Sequence, residues 1–305
     1  MLRKQSTTTG WRSRRWLITG ALVLVVVVTV AGYAIHAATK DRATNVVWSD
    51  DFAGAAGSAP AKDKWLLTTG TSYPGGAPQF GTGEIQTYTD DPANVALDGD
   101  GHLVITATRD DGGAWRSARV ETRRTDFQPA AGGTLEVSAR IKVPAPSQGY
   151  WPAFWMLGDS FRGNYVNWPE VGEIDIMEST GRQPGLVYAT LHCGTAPGGP
   201  CRENDGIGAR YPLPDGQLLS AAFRTFSIQW DRATPREEIR WYVDGLLFHT
   251  VHADDVDATT WADATAHGYF ILLNLAIGGA LPGGPDATTT PGGSMVVDAV
   301  TVRRL

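Results

Sequence analysis

Three acidic residues stand close together in a stretch that is otherwise apolar. The run EIDIME holds Glu173, Asp175 and Glu178 among isoleucines and a methionine. Ionised carboxylates avoid protein interiors because they lose several kcal/mol of hydration there. In a β-strand, alternate side chains share a face, so Glu173 and Asp175 would face one way while Ile174 and Ile176 enter a core. This arrangement suggests an acidic set kept for chemistry.

A regular strand would leave Glu178 on the wrong face. One extra residue at Ile176-Met177, a β-bulge, returns Glu178 to the side of the other two acids, and bulges gather beside active sites. The two glutamate Cα atoms would then lie roughly 13 Å apart at ~3.3 Å per residue. Side chains leaning toward each other would bring the carboxyls to roughly 5 to 6 Å.

That carboxyl separation is typical of retaining glycosidases, in which one carboxylate is the nucleophile and the other acts as acid and then as base. Asp175 would position Glu173 and tune the protonation of the set. A solvated edge strand or a metal-binding acidic patch is the simpler alternative. Trp168-Pro169 and Gly172, which lets another group approach the backbone, favour the catalytic interpretation.

The acidic run resembles the signature of glycoside hydrolase family 16, the laminarinase-like endo-β-glucanases. The resemblance implies Glu173 as nucleophile, Asp175 as its assistant and Glu178 as general acid/base. It extends from about Val47 to Arg303 and implies a jelly roll with a concave substrate cleft. Four other stretches are similar to blocks of that family, in its order: Gly83–Thr89, Gly149–Gly158, Trp241–Gly245 and Leu273–Gly279.

Aromatic residues are candidates for the walls of such a cleft. Trp151 and Trp155 are four apart in a predicted strand, so both indoles face the same way with Ala153 between them. Indole faces stack on sugar rings, although both residues could instead belong to the core of a sandwich. The resemblance favours the cleft and implies that Trp168 and His192 line it as well.

The resemblance also implies one structural calcium ion on the convex side. The matching positions are Asp51, Gly101 and Asp298, and oxygen ligands suit calcium. We expect no cofactor in catalysis. Two departures from the family concern the region that contacts substrate: Ala280 follows the Gly-Gly pair, and a loop bounded by cysteines follows His192.

The remaining composition indicates an all-β protein. The chain has 305 residues, with 36 glycines, 18 prolines and 19% charged residues, which favours a loop-rich β-structure over a helical one. Several stretches alternate apolar and polar residues, and Asp244-Gly245 predicts a two-residue hairpin. A short helix is expected near Asp254 to Ala264. We therefore predict a single β-sandwich over residues 46–305.

The amino-terminal residues differ sharply from this domain. Residues 1–15 are basic, residues 16–38 include twenty residues without charge from Trp16 to Ile35, and residues 39–45 form a polar linker. Twenty helical residues span a ~30 Å hydrocarbon layer. An uncleaved anchor and a cleaved export signal both fit, the latter because of Ala37-Ala38 and the twin arginines Arg14-Arg15. Either places the domain outside the cytoplasm, secreted or held at the outer face of the cell membrane.

The charge of the domain limits the kinds of molecule that it is expected to bind. Residues 1–40 carry six basic and no acidic residues, which leaves 20 basic against 32 acidic residues, a net charge of −12, in residues 41–305. An acidic domain repels phosphate backbones, so nucleic acid is not an expected partner. We also expect the protein to be a monomer.

The two cysteines, Cys193 and Cys201, enclose a Gly/Pro-rich loop and predict a disulfide in an exported protein.

The sequence thus predicts a retaining endo-β-glycanase acting on β-1,3-glucan. The same machinery could act on mixed-linkage β-glucan or β-1,3-galactan, or transfer the glycosyl unit to another sugar. A non-catalytic glycan-binding module at the cell surface is an alternative of another class. The intact acidic trio favours the enzyme over the binding module.

Overall fold

A computed structural model describes residues 45–305 of the chain. These residues form eighteen strands, which we number in chain order, together with short 3-10 turns and one α-helix, α1 (Ala258–Thr265). The predicted membrane segment, residues 16–38, lies outside the described residues. Within residues 45–305 no helix is long and apolar enough to cross a membrane.

The strands are short, and most join two large sheets. The first nine have the following bounds: β1 Val46–Asp50, β2 Trp65–Thr68, β3 Thr87–Tyr88, β4 Val95–Leu97, β5 Leu103–Thr106, β6 Thr108–Arg109, β7 Trp115–Ser117, β8 Arg119–Thr122 and β9 Thr134–Lys142. The second nine have these bounds: β10 Tyr150–Gly158, β11 Glu173–Glu178, β12 Leu186–His192, β13 Ile207–Pro212, β14 Arg224–Asp231, β15 Glu238–Val243, β16 Leu246–His252, β17 Tyr269–Ile277 and β18 Ser294–Arg304.

The two large sheets pack face to face. The first has the order β16-β15-β14-β9-β18-β5-β4, with β1 beside β18, and the second has the order β13-β12-β11-β10-β17-β8-β2. Strands β3, β7 and β6 form a small third sheet. One hydrophobic cluster joins Ile228 and Trp241 of the first large sheet to Ile174 and Leu273 of the second, so the core lies between them. The predicted all-β sandwich is confirmed.

Local predictions agree with these elements. The hairpin between β15 and β16 turns at Asp244 and Gly245, whose positive φ values of 50° and 79° suit a two-residue turn of the I′ type. The predicted helix is present as α1, four residues further along the chain than its predicted start, because Asp257 caps it by accepting hydrogen bonds from the Thr259 and Thr260 N–H groups.

Strand β11 carries the acidic run and lies inside the second sheet, between β10 and β12. The predicted bulge is confirmed. On the β10 side, Phe154 pairs with Met177 and the next residue, Trp155, pairs with Asp175, so Ile176 is the extra residue. Ile176 and Met177 are both buried in the core. The bulge therefore turns Glu178 back to the outer face of the sheet.

The facing sheet supports the bulge with one hydrogen bond. The Nε1 atom of Trp241, on β15, donates to the Asp175 carbonyl oxygen at 2.8 Å across the sandwich. Trp241 is fully buried, so no water competes for that donor. A buried backbone carbonyl costs free energy when it lacks a partner. Trp241 therefore fixes the backbone at the position where the strand register changes.

Replacing Trp241 with Phe should destabilise the protein and misplace the acids. The lost hydrogen bond should lower the free energy of unfolding by about 1–3 kcal/mol, beyond the loss of indole packing. Trp230→Phe is the matched control, since this neighbouring indole is also fully buried but its Nε1 has no hydrogen-bond partner within residues 45–305. Urea unfolding and kcat of both variants would test this. Equal stability losses with equal kcat would contradict it.

Candidate active site

The outer face of the second sheet forms a cavity of about 530 Å³. Strand β11 contributes Glu173, Asp175 and Glu178 to its lining, so the three predicted catalytic residues are brought together. In register, Glu178 lies opposite Ala153 of β10 and Asp175 lies opposite Trp155. The bulged strand thus places the acidic set directly beside the aromatic residues predicted for the walls.

A histidine lies within the acidic set. Glu173, Asp175 and His192 each have one side-chain atom that could bind a metal, and these three atoms lie within 4.8 Å of one another. The His192 Nε2 atom is 3.3 Å from Asp175 Oδ2 and 4.0 Å from Glu173 Oε1. His192 pairs with Glu173 across β11 and β12, which explains why it reaches this face. Asp175, predicted to assist Glu173 directly, therefore has His192 as its near partner.

Glu173 and Glu178 have different neighbours, and these neighbours affect the pKa values of the two carboxyls. Burial, followed by the Asp175 charge, raises the pKa of Glu178 well above its usual range, and Trp151 Nε1 donates to Glu178 Oε1 at 2.7 Å. Burial and the Asp175 charge also raise the pKa of Glu173, but His192 and Arg119 oppose that rise. His192 also opposes the rise at Glu178, so the two glutamates differ in the Trp151 hydrogen bond to Glu178 and the Arg119 charge that acts on Glu173.

His192 itself is surrounded by carboxylates. Burial alone would lower the pKa of His192, but hydrogen bonds with Asp175 and with Glu203 raise it well above the ordinary value. Both ring nitrogens face carboxylates: Nδ1 lies 2.7 Å from Glu203 Oε2 and Nε2 lies 3.3 Å from Asp175 Oδ2. Within residues 45–305, this is the one group of three acidic or histidine donors that lie close enough for a metal. The contacts of His192 with Asp175 and Glu203 join these side chains in one ion-pair cluster.

The three predicted cleft tryptophans all line the cavity. Trp151 contacts Glu178, as described, and Trp168 lies 5.5 Å from the His192 ring. Trp155 donates its Nε1–H to Asn274 Oδ1 at 2.7 Å, and the Arg119 guanidinium lies 4.8 Å over its ring. Trp155 is therefore held from one side by the protein, which fixes the orientation of its indole.

This fold and this acidic strand agree with comparisons to known proteins. Residues 84–299 match Glycosyl hydrolases family 16, which is most of the described chain. The chain belongs to this family. In the solved structure of endo-1,3-beta-glucanase from Streptomyces sioyaensis, 96% of that chain aligns with 85% of this one at 51% identity and a TM-score of 0.83. That similarity supports the jelly-roll description of the sandwich.

Two characterised family 16 relatives differ in how much of them the chain covers. The Beta-glucanase of Rhodothermus marinus is 34% identical over 277 residues, which is 85% of each protein. Glucan endo-1,3-beta-glucosidase A1 of Niallia circulans is 32% identical over 85% of this chain, but the chain spans only 37% of that relative's length. The shared region therefore corresponds to a part of the Niallia protein.

Several cleft residues were missed from the sequence. Arg119 is buried and lies over the rings of Tyr73, Phe80 and Trp155, at 4.9, 5.0 and 4.8 Å. Asn274 is the one polar residue in β17, a strand buried along its whole length. Asn274 interrupts a continuous apolar run, and that signal would have identified it, whereas Arg119 fits the polar–apolar alternation of β8. Other lining residues that sequence reasoning missed are Glu84, Phe161 and Tyr165.

The predicted disulfide between Cys193 and Cys201 is present in the structure, with their Cα atoms 5.5 Å apart. Both cysteines are completely buried. The first one directly follows His192 at the end of β12, so the closed loop begins at the active site. The loop therefore has a position from which it can influence the acidic set.

The carboxylates predicted to bind calcium have other hydrogen-bond partners in the structure. The Asp51 carbonyl lies beside Gly101, but the Asp51 side chain accepts a hydrogen bond from the Ala53 N–H at 3.3 Å. The Asp298 carboxylate accepts a hydrogen bond from Arg140 Nη1 at 2.9 Å, and the His102 Nε2 lies 3.6 Å from its other oxygen. Calcium at Asp298 would have to compete with the Arg140 guanidinium for that carboxylate.

Proposed function

We propose that this protein is a retaining endo-β-glycanase that hydrolyses β-1,3-glucan by double displacement. The observation that carries the proposal is the bulged strand β11, which presents Glu173 and Glu178 on one face of a cavity with different partners. Trp151 donates a hydrogen bond to Glu178, Arg119 acts on Glu173, and His192 acts on both. An acid and a nucleophile need such unequal surroundings, because one must hold a proton that the other must lack.

In this mechanism Glu178 protonates the glycosidic oxygen while Glu173 attacks the anomeric carbon. The bond to the leaving sugar breaks as a covalent bond to Glu173 forms. Glu178, now ionised, removes a proton from water, which displaces Glu173 and releases the second product with its original anomeric configuration. The His192 ring opposes the effect of the Asp175 charge and favours the ionised form of Glu173 between turnovers. Every step uses side chains of the chain itself, without a cofactor.

The preference for β-1,3-glucan rests on the relatives and on the walls of the cavity. Two of the named relatives are called glucan endo-1,3-beta-glucosidase and endo-1,3-beta-glucanase. Trp151, Trp155 and Trp168 offer apolar faces on which glucose rings can stack. The second candidate keeps this machinery for mixed-linkage β-glucan, β-1,3-galactan or glycosyl transfer, and Ala280 favours it because the rim lacks a polar contact there. A silent glycan-binding module would have no use for the acidic trio.

A panel of polysaccharides tests the substrate. The full-length protein should shorten laminarin-type β-1,3-glucan from internal sites, so mean chain length should fall before free glucose appears. Mixed-linkage glucan and β-1,3-galactan should be cleaved more slowly. Product sizes and reducing ends over time are the measurements, and Glu173→Gln is the inactive control. Faster cleavage of galactan, or transfer products exceeding hydrolysis products, would favour the second candidate. Binding of glucan with no cleavage would favour the module.

Substitution of the two glutamates tests their roles. Glu173→Ala should abolish hydrolysis of every substrate. Glu178→Ala should lose on the order of 10²- to 10⁴-fold in kcat on glucan. It should still form the glycosyl-enzyme from an activated aryl glycoside, whose leaving group needs little protonation, and added azide should restore turnover as a β-glycosyl azide. Asp175→Asn should weaken catalysis without eliminating it.

Exposed Glu170, three residues before Glu173, gives the matched control for these substitutions. Glu170→Gln should retain wild-type kcat. Early-time NMR of the wild-type reaction should show a β-configured product. An α-configured first product would mean inversion and would contradict both assigned roles.

We also propose the domain organisation and location expected from the sequence. Residues 1–15 form a basic segment, residues 16–38 an anchor or signal, residues 39–45 a linker and residues 46–305 the catalytic domain, which acts outside the cytoplasm as a monomer. The full-length chain should be found in the membrane or in the medium, and a chain beginning at residue 46 should be soluble. Fractionation followed by immunoblotting measures this. Intact full-length protein in the cytosol would contradict it.

A further inference from the structure

Glu203 is a buried carboxylate beside the active site that the proposed mechanism leaves without a role. Its side chain is completely buried and both oxygens have partners. Oε2 lies 2.7 Å from His192 Nδ1, and Oε1 accepts a hydrogen bond from the Cys193 N–H at 2.8 Å. One carboxylate therefore contacts both His192 and the first cysteine of the disulfide. A buried ionised carboxylate needs such partners to offset its lost hydration.

The disulfide loop brings Glu203 to this position. Cys201 is bonded to Cys193, and Glu203 follows Cys201 by two residues. The backbones of Glu203 and Gly198 exchange hydrogen bonds in both directions across the closed loop. These constraints leave the Glu203 backbone little freedom. The carboxylate is thus carried to His192 by a cross-linked segment rather than by a strand of the sheet.

We propose that Glu203 is a positioning residue for catalysis, held by the Cys193–Cys201 loop, that binds Nδ1 of His192 and directs Nε2 of the same ring toward Asp175 and Glu173. The atoms form a continuous row. Glu203 Oε2, the two ring nitrogens and Asp175 Oδ2 are joined by contacts of 2.7 and 3.3 Å, and Glu173 Oε1 lies 4.0 Å from Nε2. Glu203 does not contact the cavity and acts through the ring.

The physical consequence concerns the proton on His192. The charged groups facing the ring are Glu203 on one side and Asp175 and Glu173 on the other, with the Trp168 ring against its face. The Glu203 hydrogen bond and the Asp175 carboxylate 3.3 Å from Nε2 favour the protonated ring. Without the Glu203 charge, His192 should lose its proton at lower pH. Asp175 and Glu173 would then face a neutral ring, which stabilises their ionised forms less well.

Because of this arrangement, the state of the disulfide should affect catalysis. Reduction would release Cys201 from Cys193 and so loosen the segment that presents Glu203. We therefore expect the pH dependence of activity to respond to the thiol state of two cysteines that contact no substrate. Ordinary stabilisation by a disulfide would change the temperature of unfolding but would leave the titration of His192 in the folded protein unchanged.

The first test measures the protonation of His192 directly and does not require any enzymatic activity. Full-length protein labelled with ¹⁵N in its histidine rings is titrated by NMR, and His192 is assigned from the signals lost in His192→Gln. In Glu203→Gln the His192 pKa should fall by at least about one pH unit, a tenfold change in proton affinity. The exposed neighbour variant Glu170→Gln should titrate like wild type. A folded Glu203→Gln protein with an unchanged His192 pKa would overturn the proposal.

The second test rests on the proposed function. The acidic limb of kcat/KM on β-1,3-glucan, which reports ionisation of Glu173, should move to higher pH in Glu203→Gln, since a ring that loses its proton more easily stabilises the ionised nucleophile less well. The change should lie mainly in kcat, with KM within about twofold, because Glu203 does not line the cavity. If wild type lacks glucanase activity, the proposed function fails while the NMR test still decides the role of Glu203. An unmoved acidic limb in an active, folded variant would overturn that role.

The third test addresses the loop and also covers a Glu203→Gln protein that fails to fold. Wild-type protein is reduced under native conditions, with the thiols counted and folding checked by circular dichroism. The His192 pKa should fall in the same direction as in the substituted protein. Reoxidation should restore both the pKa and the pH profile. Reduced, folded protein whose His192 titrates as in the oxidised form would overturn the proposed action of the loop.

Discussion

One extra residue in β11 is the constraint on which the active site depends. With Ile176 outside the register, Ile174, Ile176 and Met177 all remain in the core while Glu173, Asp175 and Glu178 lie at the outer face. A regular strand would bury one of the glutamates in the sandwich, where a carboxylate is costly. A core residue also stabilises the site, because the Trp241 indole of the facing sheet donates a hydrogen bond to the Asp175 carbonyl oxygen.

Each acid of the set is satisfied by a different kind of partner, and this difference separates their chemistry. Glu178 has a neutral donor, the Trp151 indole, which forms a hydrogen bond without adding a positive charge. Asp175 lies close to His192. Glu173 also lies near His192 and is affected by the positive charge of Arg119. Burial raises the pKa of both glutamates, so the identity of these neighbours decides which of them keeps its proton.

The sequence predicted the parts of the site that follow a local period. Alternation and the need to return Glu178 to one face led to the bulge. The spacing of Trp151 and Trp155 placed both on one face, and the family resemblance assigned that face to the cleft. Asn274 was overlooked although it interrupts an apolar strand, and Arg119 was overlooked because it fits the polar–apolar alternation of β8. Glu203 had no local signal, because its partner, His192, lies eleven residues earlier and only the folded, cross-linked loop brings the two together. The Arg140–Asp298 contact likewise requires the pairing of distant strands.

The cleft contains two cations that differ in how they respond to pH. Arg119 is buried among Tyr73, Phe80 and Trp155 and pairs with Glu121, and a guanidinium stays charged throughout the working range. His192 can lose its proton, and its charge depends on Glu203 and Asp175. Arg119 therefore supplies a constant field at Glu173, whereas the loop-held Glu203 sets the pH at which the second positive charge disappears. The pH range of the site is thus controlled from the disulfide loop, outside the cavity.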